Sequence, residues 1–262
     1  MGEQAEGGCE LIQPWVVPAP LGPAGRTVVS VADAEQRFTR GPTATQAVDQ
    51  PGEVLPPLFR SLKRAVDVAI AAVALIVALP VLVIAAMAIV ADSPGGALFT
   101  QTRVGAGGQP FRLFKLRTMR AGSDDGEHRA YVAALINGEG EPQDGMYKIV
   151  DDDRRTTVGK LLRSFSIDEL PQLWNVLRGD MSVIGPRPPL PEEVALYDRA
   201  TWARMAVKPG LTGLWQVSGR SRLSFEEMVE LDIRYWREWT PLLDLRILAR
   251  TPKAVLWNRD TA

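Results

Sequence analysis

At 262 residues the chain is long enough for one large domain or two modest ones. Thirty basic residues against thirty-one acidic ones leave a net charge of −1, so no global field recruits nucleic acid and no nucleic-acid partner is expected. One cysteine, Cys9, and one histidine, His128, exclude a disulfide framework and a Cys/His zinc centre, which leaves acid–base or nucleophilic chemistry to carboxylates, Lys, Tyr or Ser.

Residues 1–57 are rich in Gly, Pro, Ala, Thr and Gln without an apolar period, and read as a disordered polar tail. The apolar run begins too far into the chain for a secretory signal peptide. From Val68 to Ala91 the sequence carries twenty-four residues without a charge, enough to cross a hydrocarbon core of about 30 Å. Pro80, near its middle, removes a backbone hydrogen bond and predicts a kink or break. Arg60, Lys63 and Arg64 precede the run, and Arg103, Arg112, Lys115, Arg117 and Arg120 follow it. Positive charge prefers the cytoplasm, and neither flank prevails. A segment that bends at Pro80 and returns to its own face satisfies both flanks; a tilted span with a tolerated proline is the alternative. Asp67 is expected to pair with Lys63 at i,i+4 or with Arg64 at i,i+3.

From Leu98 the chain is soluble in character. "ALFTQTRVGAGGQPFRLFKLRTM" alternates around a glycine-rich turn and predicts a β-hairpin. "AGSDDGEHRAYVAALINGEGEPQDG" reads as a polar surface loop with one short helix, and His128 as a loop residue. "TVGKLLRSF" predicts a helix or turn. "PQLWNVLRGDMSVIGPRPPLPEE" predicts a helix, a Gly-Asp break and a proline-rigid loop. "LPEEVALYDRATWARMAV" reads as helical and "KPGLTGLWQVSGRSRL" as a glycine-punctuated loop. Ser224 and Glu227 form a capping box before "FEEMVELDIRYWREWT", and "PLLDLRILARTPKAVLW" predicts an amphipathic segment interrupted at Pro252. Trp236, Trp239 and Trp257 beside basic residues suit either a helix on a headgroup surface or ordinary core packing.

In "SFSIDELPQLWN", Pro171 is tolerated only in a first helical turn, so a helix is expected to start near Ile167 or Asp168, with Asp168 as its N-cap. An acid at a helix start is ordinarily a cap. The same position favours an ionised carboxylate and attracts phosphate, so Asp168 is also a candidate nucleophile and the adjacent Glu169 a candidate Mg²⁺ ligand. Arg163, Lys115, Arg117, Arg187 between two prolines, and Arg220 beside small residues are candidate phosphate-binding cations. No G-x-x-x-x-G-K-[ST] loop or G-x-G-x-x-G turn is present.

Taken together, "KRAVDVAIAAVALIVALPVLVIAAMAI", "RVGAGGQPFRLFKLRTM", "VGKLLRSFSIDELPQLWNVLRGDMSVIGPRPPLP", "KPGLTGLWQVSGR" and "LDIRYWREWTPLLDLRIL" are more specific than their parts. Over about residues 60–258 the chain resembles the bacterial sugar transferase family of monotopic polyprenyl-phosphate phosphoglycosyl transferases. The resemblance implies transfer of a sugar 1-phosphate from a UDP-sugar to polyprenyl (undecaprenyl) phosphate with release of UMP, as the first membrane step of glycan assembly. It implies that Asp168 is the nucleophile of a covalent phosphosugar intermediate and that Glu169 holds a Mg²⁺ cofactor. Lys115 and Arg163 fall on family positions at the catalytic centre. Arg187 matches the family's Pro-Arg-Pro arginine, and Asp232 matches its late aspartate beside a tyrosine; with Arg117 and Arg220 they are expected to bind substrate.

The implied fold is α+β and mainly helical. It comprises a disordered tail (1–57), a re-entrant membrane helix broken at Pro80 (58–95), and a catalytic domain (96–262) with a short β-hairpin and interfacial amphipathic helices. The implied location is the bacterial inner membrane, with the catalytic domain on the cytosolic face; homo-oligomerisation is left open. The segment 121–150 is longer and more acidic than the family's usual link, and a polar tail stands where longer members carry further membrane helices. A catalytically silent, membrane-tethered scaffold is the reading from another class; intact Asp168, Glu169, Lys115 and Arg187 argue against it. Nothing in the sequence selects the sugar or the glycan pathway.

Overall fold

The computed structural model describes residues 57–120, 122–123, 126–137, 154–219 and 223–256. Residues 1–56 of the expected tail, Arg220 and Trp257 lie outside the described residues, and Pro57 already belongs to the first helix. The apolar run forms one helix, α1 (Pro57–Asp92), which continues through Pro80; the predicted break is not an interruption of the helix. Its buried residues, Asp67, Ala71, Ala78, Ala85 and Ile89, recur at fours and sevens and so form a single stripe of mostly small side chains. The other faces leave Val73, Ile76, Val77, Leu79, Ile84 and Met87 more than half exposed. A continuous apolar surface of this size, on a helix long enough to cross a bilayer, is the mark of a membrane protein.

Both ends of α1 are fastened to the rest of the chain. Near its start, Arg64 donates to the carbonyls of Val176 (2.5 Å) and Leu177 (2.8 Å), and Lys63 pairs with Asp244 at 2.8 Å. Asp67 accepts from the Val183 amide at 3.0 Å and lies 3.8 Å from Lys63, so of its two expected partners it takes Lys63 and leaves Arg64 to the backbone. At the far end, Asp92 accepts from the Val158 amide. Arg117 there donates to the Ser93, Pro94 and Gly95 carbonyls, which follow the last turn of α1 and have no helical partners of their own.

The predicted hairpin forms as β1 (Leu98–Val104) and β2 (Pro110–Leu116), antiparallel from Leu98 opposite Leu116 to Val104 opposite Pro110. Gly107 and Gly108 take positive φ in the turn between them. Helix α2 (Gly126–Asn137) carries His128, in place of the expected loop, and buries Val132 and Ile136. Then come α3 (Thr157–Ser164), a 3₁₀ turn (Ile167–Glu169) and α4 (Gln172–Arg178). A second sheet was not foreseen: β3 (Ser182–Ile184) runs parallel to β4 (Gly210–Thr212), where two loops were expected. Gly210 lies so close to Gly185 that a methyl group on it would overlap the Gly185 amide nitrogen.

Between those strands lie α5 (Pro191–Ala195), α6 (Arg199–Trp202) and a 3₁₀ turn (Ala203–Ala206). Helix α7 (Leu214–Ser218) follows, then α8 (Phe225–Arg237), which starts with the predicted Ser224–Glu227 capping box. The last helix, α9 (Pro241–Leu256), contains Pro252 without interruption, contrary to expectation. The fold is thus mainly helical, with two small two-stranded sheets.

Three apolar clusters hold these elements. Val104, Val132, Val194, Tyr197, Phe225 and Met228 tie the hairpin tip to α2, α5 and α8. Ala71 of α1 packs with Leu173 and Val176 of α4, Ile184 of β3, Tyr235 of α8 and Ile247 of α9. Ala85 and Ile89 of α1 pack with Leu116 and Leu162. Asn175 joins the hairpin to α4: fully buried, it accepts from the Phe114 amide (3.1 Å) and donates to the Arg112 carbonyl (2.7 Å) and to Asp180 (3.1 Å). A buried backbone group left unpaired costs about 1–3 kcal/mol, so this one side chain offsets a large local penalty.

Candidate active site

The residues of "KLRTM" and "SIDEL" are brought together by backbone pairing between β2's exit and the start of α3. The Arg120 amide donates to Arg154, the Thr156 amide donates to Thr118, and Met119 bridges Arg155. Two of the unpaired amides at the start of α3 are then satisfied, Gly159 by the Thr156 hydroxyl and Val158 by Asp92. Gly159 rests directly on the Thr118 backbone, where any side chain would overlap the carbonyl. This seam carries Lys115, at the end of β2, up to the turn that holds Asp168 and Glu169.

That turn is entered through Ser166, whose φ of 55° is the one positive value at a non-glycine among the described residues. Such a conformation costs of order 1 kcal/mol or more for a side-chain-bearing residue, and here it turns the chain sharply just ahead of the acid pair. Asp168 lies inside the 3₁₀ turn; Ser166 caps that turn and Pro171 precedes α4. Asp168 is therefore not the helix N-cap expected from the sequence, because the helix starts later, at Gln172.

Its electrostatics differ accordingly. Asp168 is 5% exposed, and its pKa is pushed up to about 6, first by burial and then by the Glu169 charge, with Lys115 and Arg163 opposing. Lys115 is half-buried, and withdrawal of its ammonium from water brings its pKa down to about 8; Asp168 and Glu169 pull it back up, while Arg163 and Arg103 add to the fall. The Lys115 ammonium also stands 5.8 Å above the Phe99 ring. Desolvation outweighs mutual attraction in both shifts.

Beside the pair, the Arg187 guanidinium lies 3.9 Å from Glu169, each side chain 32% exposed. Lys115, Arg163 and Glu169 thus act on Asp168, and Arg187 stands beside Glu169. Arg117 does not join them: it is buried, with its donors on the three carbonyls after α1, so it fastens the membrane helix and is not placed to bind substrate. Asp232 is also withdrawn, 1% exposed and 2.5 Å from the equally buried Arg204; burial raises its pKa to about 6 against the opposing effect of that arginine. In that place it can reach a substrate only through other residues. Arg220 lies outside the described residues.

Sequence reasoning missed Ser166, Arg103, Arg204 and Glu193. Glu193 is buried among Arg103, Arg204 and Arg187, and its desolvation raises its pKa. It lies in the first turn of α5, where acids are common. No one-dimensional spacing links Arg103, Glu193 and Arg204, since they meet across the hairpin, α5 and the 3₁₀ turn at Ala203–Ala206.

As a site for a divalent cation, the pair offers adjacent carboxylates, one of them partly open to solvent. No cluster of three or more His, Cys, Asp or Glu exists among the described residues. That donor set fits Mg²⁺, which is commonly held by one or two carboxylates plus substrate phosphates and retains several waters.

Residues 58–258 match the model of the family described as bacterial sugar transferase. The chain is 40% identical over 227 residues to the exopolysaccharide production protein ExoY of Sinorhizobium fredii, covering 85% of this chain and 98% of that protein. It is 42% identical over 227 residues to the UDP-glucose:undecaprenyl-phosphate glucose-1-phosphate transferase of Caulobacter vibrioides, covering 82% and 78%. It is also 44% identical over 163 residues to the galactosyl transferase CpsE of Streptococcus agalactiae; there the match takes in 62% of this chain but only 35% of that longer protein.

Proposed function

The chain belongs to the bacterial sugar transferase family, and from that premise we propose that it transfers a sugar 1-phosphate from a UDP-sugar to undecaprenyl phosphate. The observation that carries this reading is the buried Asp168 carboxylate, with Lys115 and Arg163 close enough to shift its pKa and the Glu169–Arg187 pair beside it. A carboxylate oxygen of Asp168 attacks the phosphorus that bears the sugar. The bond from that phosphorus to the bridging oxygen breaks, and UMP leaves with the electron pair. The undecaprenyl phosphate oxygen then attacks the same phosphorus, forming the lipid diphosphate sugar and returning Asp168 as a free carboxylate.

Lys115, Arg163 and Arg187 neutralise charge on the diphosphate and on the departing phosphate, the largest electrostatic demand of the reaction. Glu169 would hold Mg²⁺, which when bound adds further neutralisation of the phosphate oxygens. The exclusion of water around Asp168 protects the acyl phosphate from hydrolysis. The expected result is multiple-turnover UMP release that needs both a UDP-sugar and undecaprenyl phosphate, falls to a single stoichiometric burst when the lipid is left out, and stops on chelation of Mg²⁺. A screen across UDP-glucose, UDP-galactose and their N-acetylated counterparts identifies the donor, and release with none of them would refute the reading in favour of a scaffold.

The membrane topology follows the same reading. A spanning α1 would place its ends on opposite sides of the bilayer, yet Arg64 and Asp92 bond to the same body, through α4 and α3. This supports a segment that enters and leaves the membrane by one face, the cytosolic one where UDP-sugars are supplied. Leu161, Phe165, Trp174, Leu242 and Leu245 are exposed on the elements packed around the two ends of α1, as expected of surfaces resting at headgroup depth. Single cysteines placed at 58 and at 96 in a Cys9→Ser background should label from the same side of sealed vesicles; labelling from opposite sides would eliminate re-entrance.

A further inference from the structure

Arg187 stands in a loop that cannot support itself. Pro186, Pro188 and Pro189 have no amide hydrogen to donate, so the loop's carbonyls need partners from elsewhere. Four successive carbonyls find them on three other segments: β4, the 3₁₀ turn at Ala203–Ala206, and the end of β1. The Pro186 carbonyl accepts from the Gly210 amide at 2.8 Å, and the Pro189 carbonyl from the Val104 amide at 3.0 Å. The Pro188 carbonyl accepts from the Arg103 guanidinium at 3.0 Å. The carbonyl of Arg187 itself accepts from Arg204 at 3.4 Å.

Arg204 is 2% exposed, and its guanidinium is fixed from two further sides. One nitrogen donates to Asp232 at 2.5 Å, the other to the Tyr197 hydroxyl at 3.0 Å, and the group lies 5.8 Å from the Tyr197 ring. The nitrogen held by Asp232 is the same one that reaches the Arg187 carbonyl. A buried ion pair is seldom needed for stability alone, since apolar residues of similar volume often serve as well. What an apolar replacement could not supply is the donor that meets the carbonyl of the arginine beside Glu169.

We propose that Arg204 is a positioning residue, anchored by Asp232 and Tyr197, which sets the backbone of Arg187 so that its guanidinium meets the donor diphosphate next to Glu169. The inference rests on the proposed role of Arg187 in donor binding. It reassigns Asp232 from substrate contact to the far end of a relay: Asp232 carboxylate, Arg204 guanidinium, Arg187 carbonyl, Arg187 guanidinium. Lysine at position 204 keeps the charge opposite Asp232 but cannot span Tyr197, Asp232 and the carbonyl together.

The test is a double-mutant cycle on the full chain in nanodiscs, read as UMP release with the donor that the screen identifies. Arg204→Lys and Asp232→Asn are expected to raise donor KM about 10-fold with kcat changed by less than about threefold, the signature of lost donor binding. In an Arg187→Ala background the same substitutions should change KM by less than about twofold, because nothing remains to be positioned. Equal factors in the two backgrounds, or lower melting temperatures with unchanged KM, overturn the positioning role alone. Unchanged KM in Arg187→Ala itself overturns both this inference and the assignment of Arg187 to donor binding. Should Asp232→Asn fail to fold, Tyr197→Phe removes one anchor of Arg204 while keeping the ring, and a rise of about threefold in KM, absent in the Arg187→Ala background, is the supporting result.

Discussion

Asp168→Asn should abolish turnover and at the same time make the protein melt at a higher temperature. The loss follows from chemistry: a carboxamide cannot form the acyl phosphate, so kcat is expected to fall by about 10³ or more, and no label should be retained from a donor radiolabelled in its sugar phosphate. The gain follows from linkage. The folded-state pKa of Asp168 is about 6 against an ordinary 3.8, so the folded chain binds the proton more tightly than the unfolded one. Stability is therefore greatest below the ordinary value and falls as pH rises through the interval up to about 6. At neutral pH the native protein bears the full penalty of an ionised, buried carboxylate beside Glu169. Its removal should be worth on the order of 1–3 kcal/mol, or several degrees in melting temperature for a chain of this size. Labelled protein from Asp168→Asn would sink the nucleophile assignment. A lower melting temperature would show that Asp168 serves the fold instead.

The same residue shows where sequence and structure part company. Asp168 and Glu169 stood out as a pair because local spacing exposes adjacent acids before a proline, and the hairpin stood out because alternation survives in β1 and β2. What the spacing misjudged was the onset of the helix. The strained Ser166 and the 3₁₀ turn postpone α4 to Gln172, and with it the burial of Asp168. That burial is what moves the pKa upward, where a helix start would have moved it down. The parallel strands β3 and β4 have three residues each and are buried almost throughout, so no alternation marks them. Pro80 and Pro252 both sit within helices that their propensity alone would have ended. Arg117 and Asp232 were legible as charged residues in recognisable segments, but their task depended on which carbonyl or guanidinium the fold set against them. Those partners lie tens of residues away, and no local rule names them.

The pH profile should separate Lys115 from Glu169, because their charges act on Asp168 in opposite directions. On the proposed mechanism, turnover needs Asp168 ionised and Lys115 protonated. The rate should rise as pH passes about 6 and fall as it passes about 8, limits that belong to the coupled group and not to one residue. Lys115→Met removes the cation that favours ionisation of Asp168. Its profile should lose the alkaline fall and shift its acidic rise to higher pH, with the maximum rate reduced by about 10²-fold or more, as for loss of a preorganised charge-stabilising group. Glu169→Gln removes a negative charge that raises the Asp168 pKa, so the acidic rise should move to lower pH. It should also require a higher Mg²⁺ concentration for half-maximal rate, since a carboxamide is the weaker donor to a hard cation. Opposite displacements of the acidic limb in the two variants would tie both charges to one ionising carboxylate. If both limbs stayed in place in Lys115→Met while the rate fell, Lys115 would be acting on the substrate phosphates alone, and the alkaline limb would belong to another group. An unchanged Mg²⁺ requirement in Glu169→Gln would move the metal away from that side chain even if the acidic limb shifted as expected.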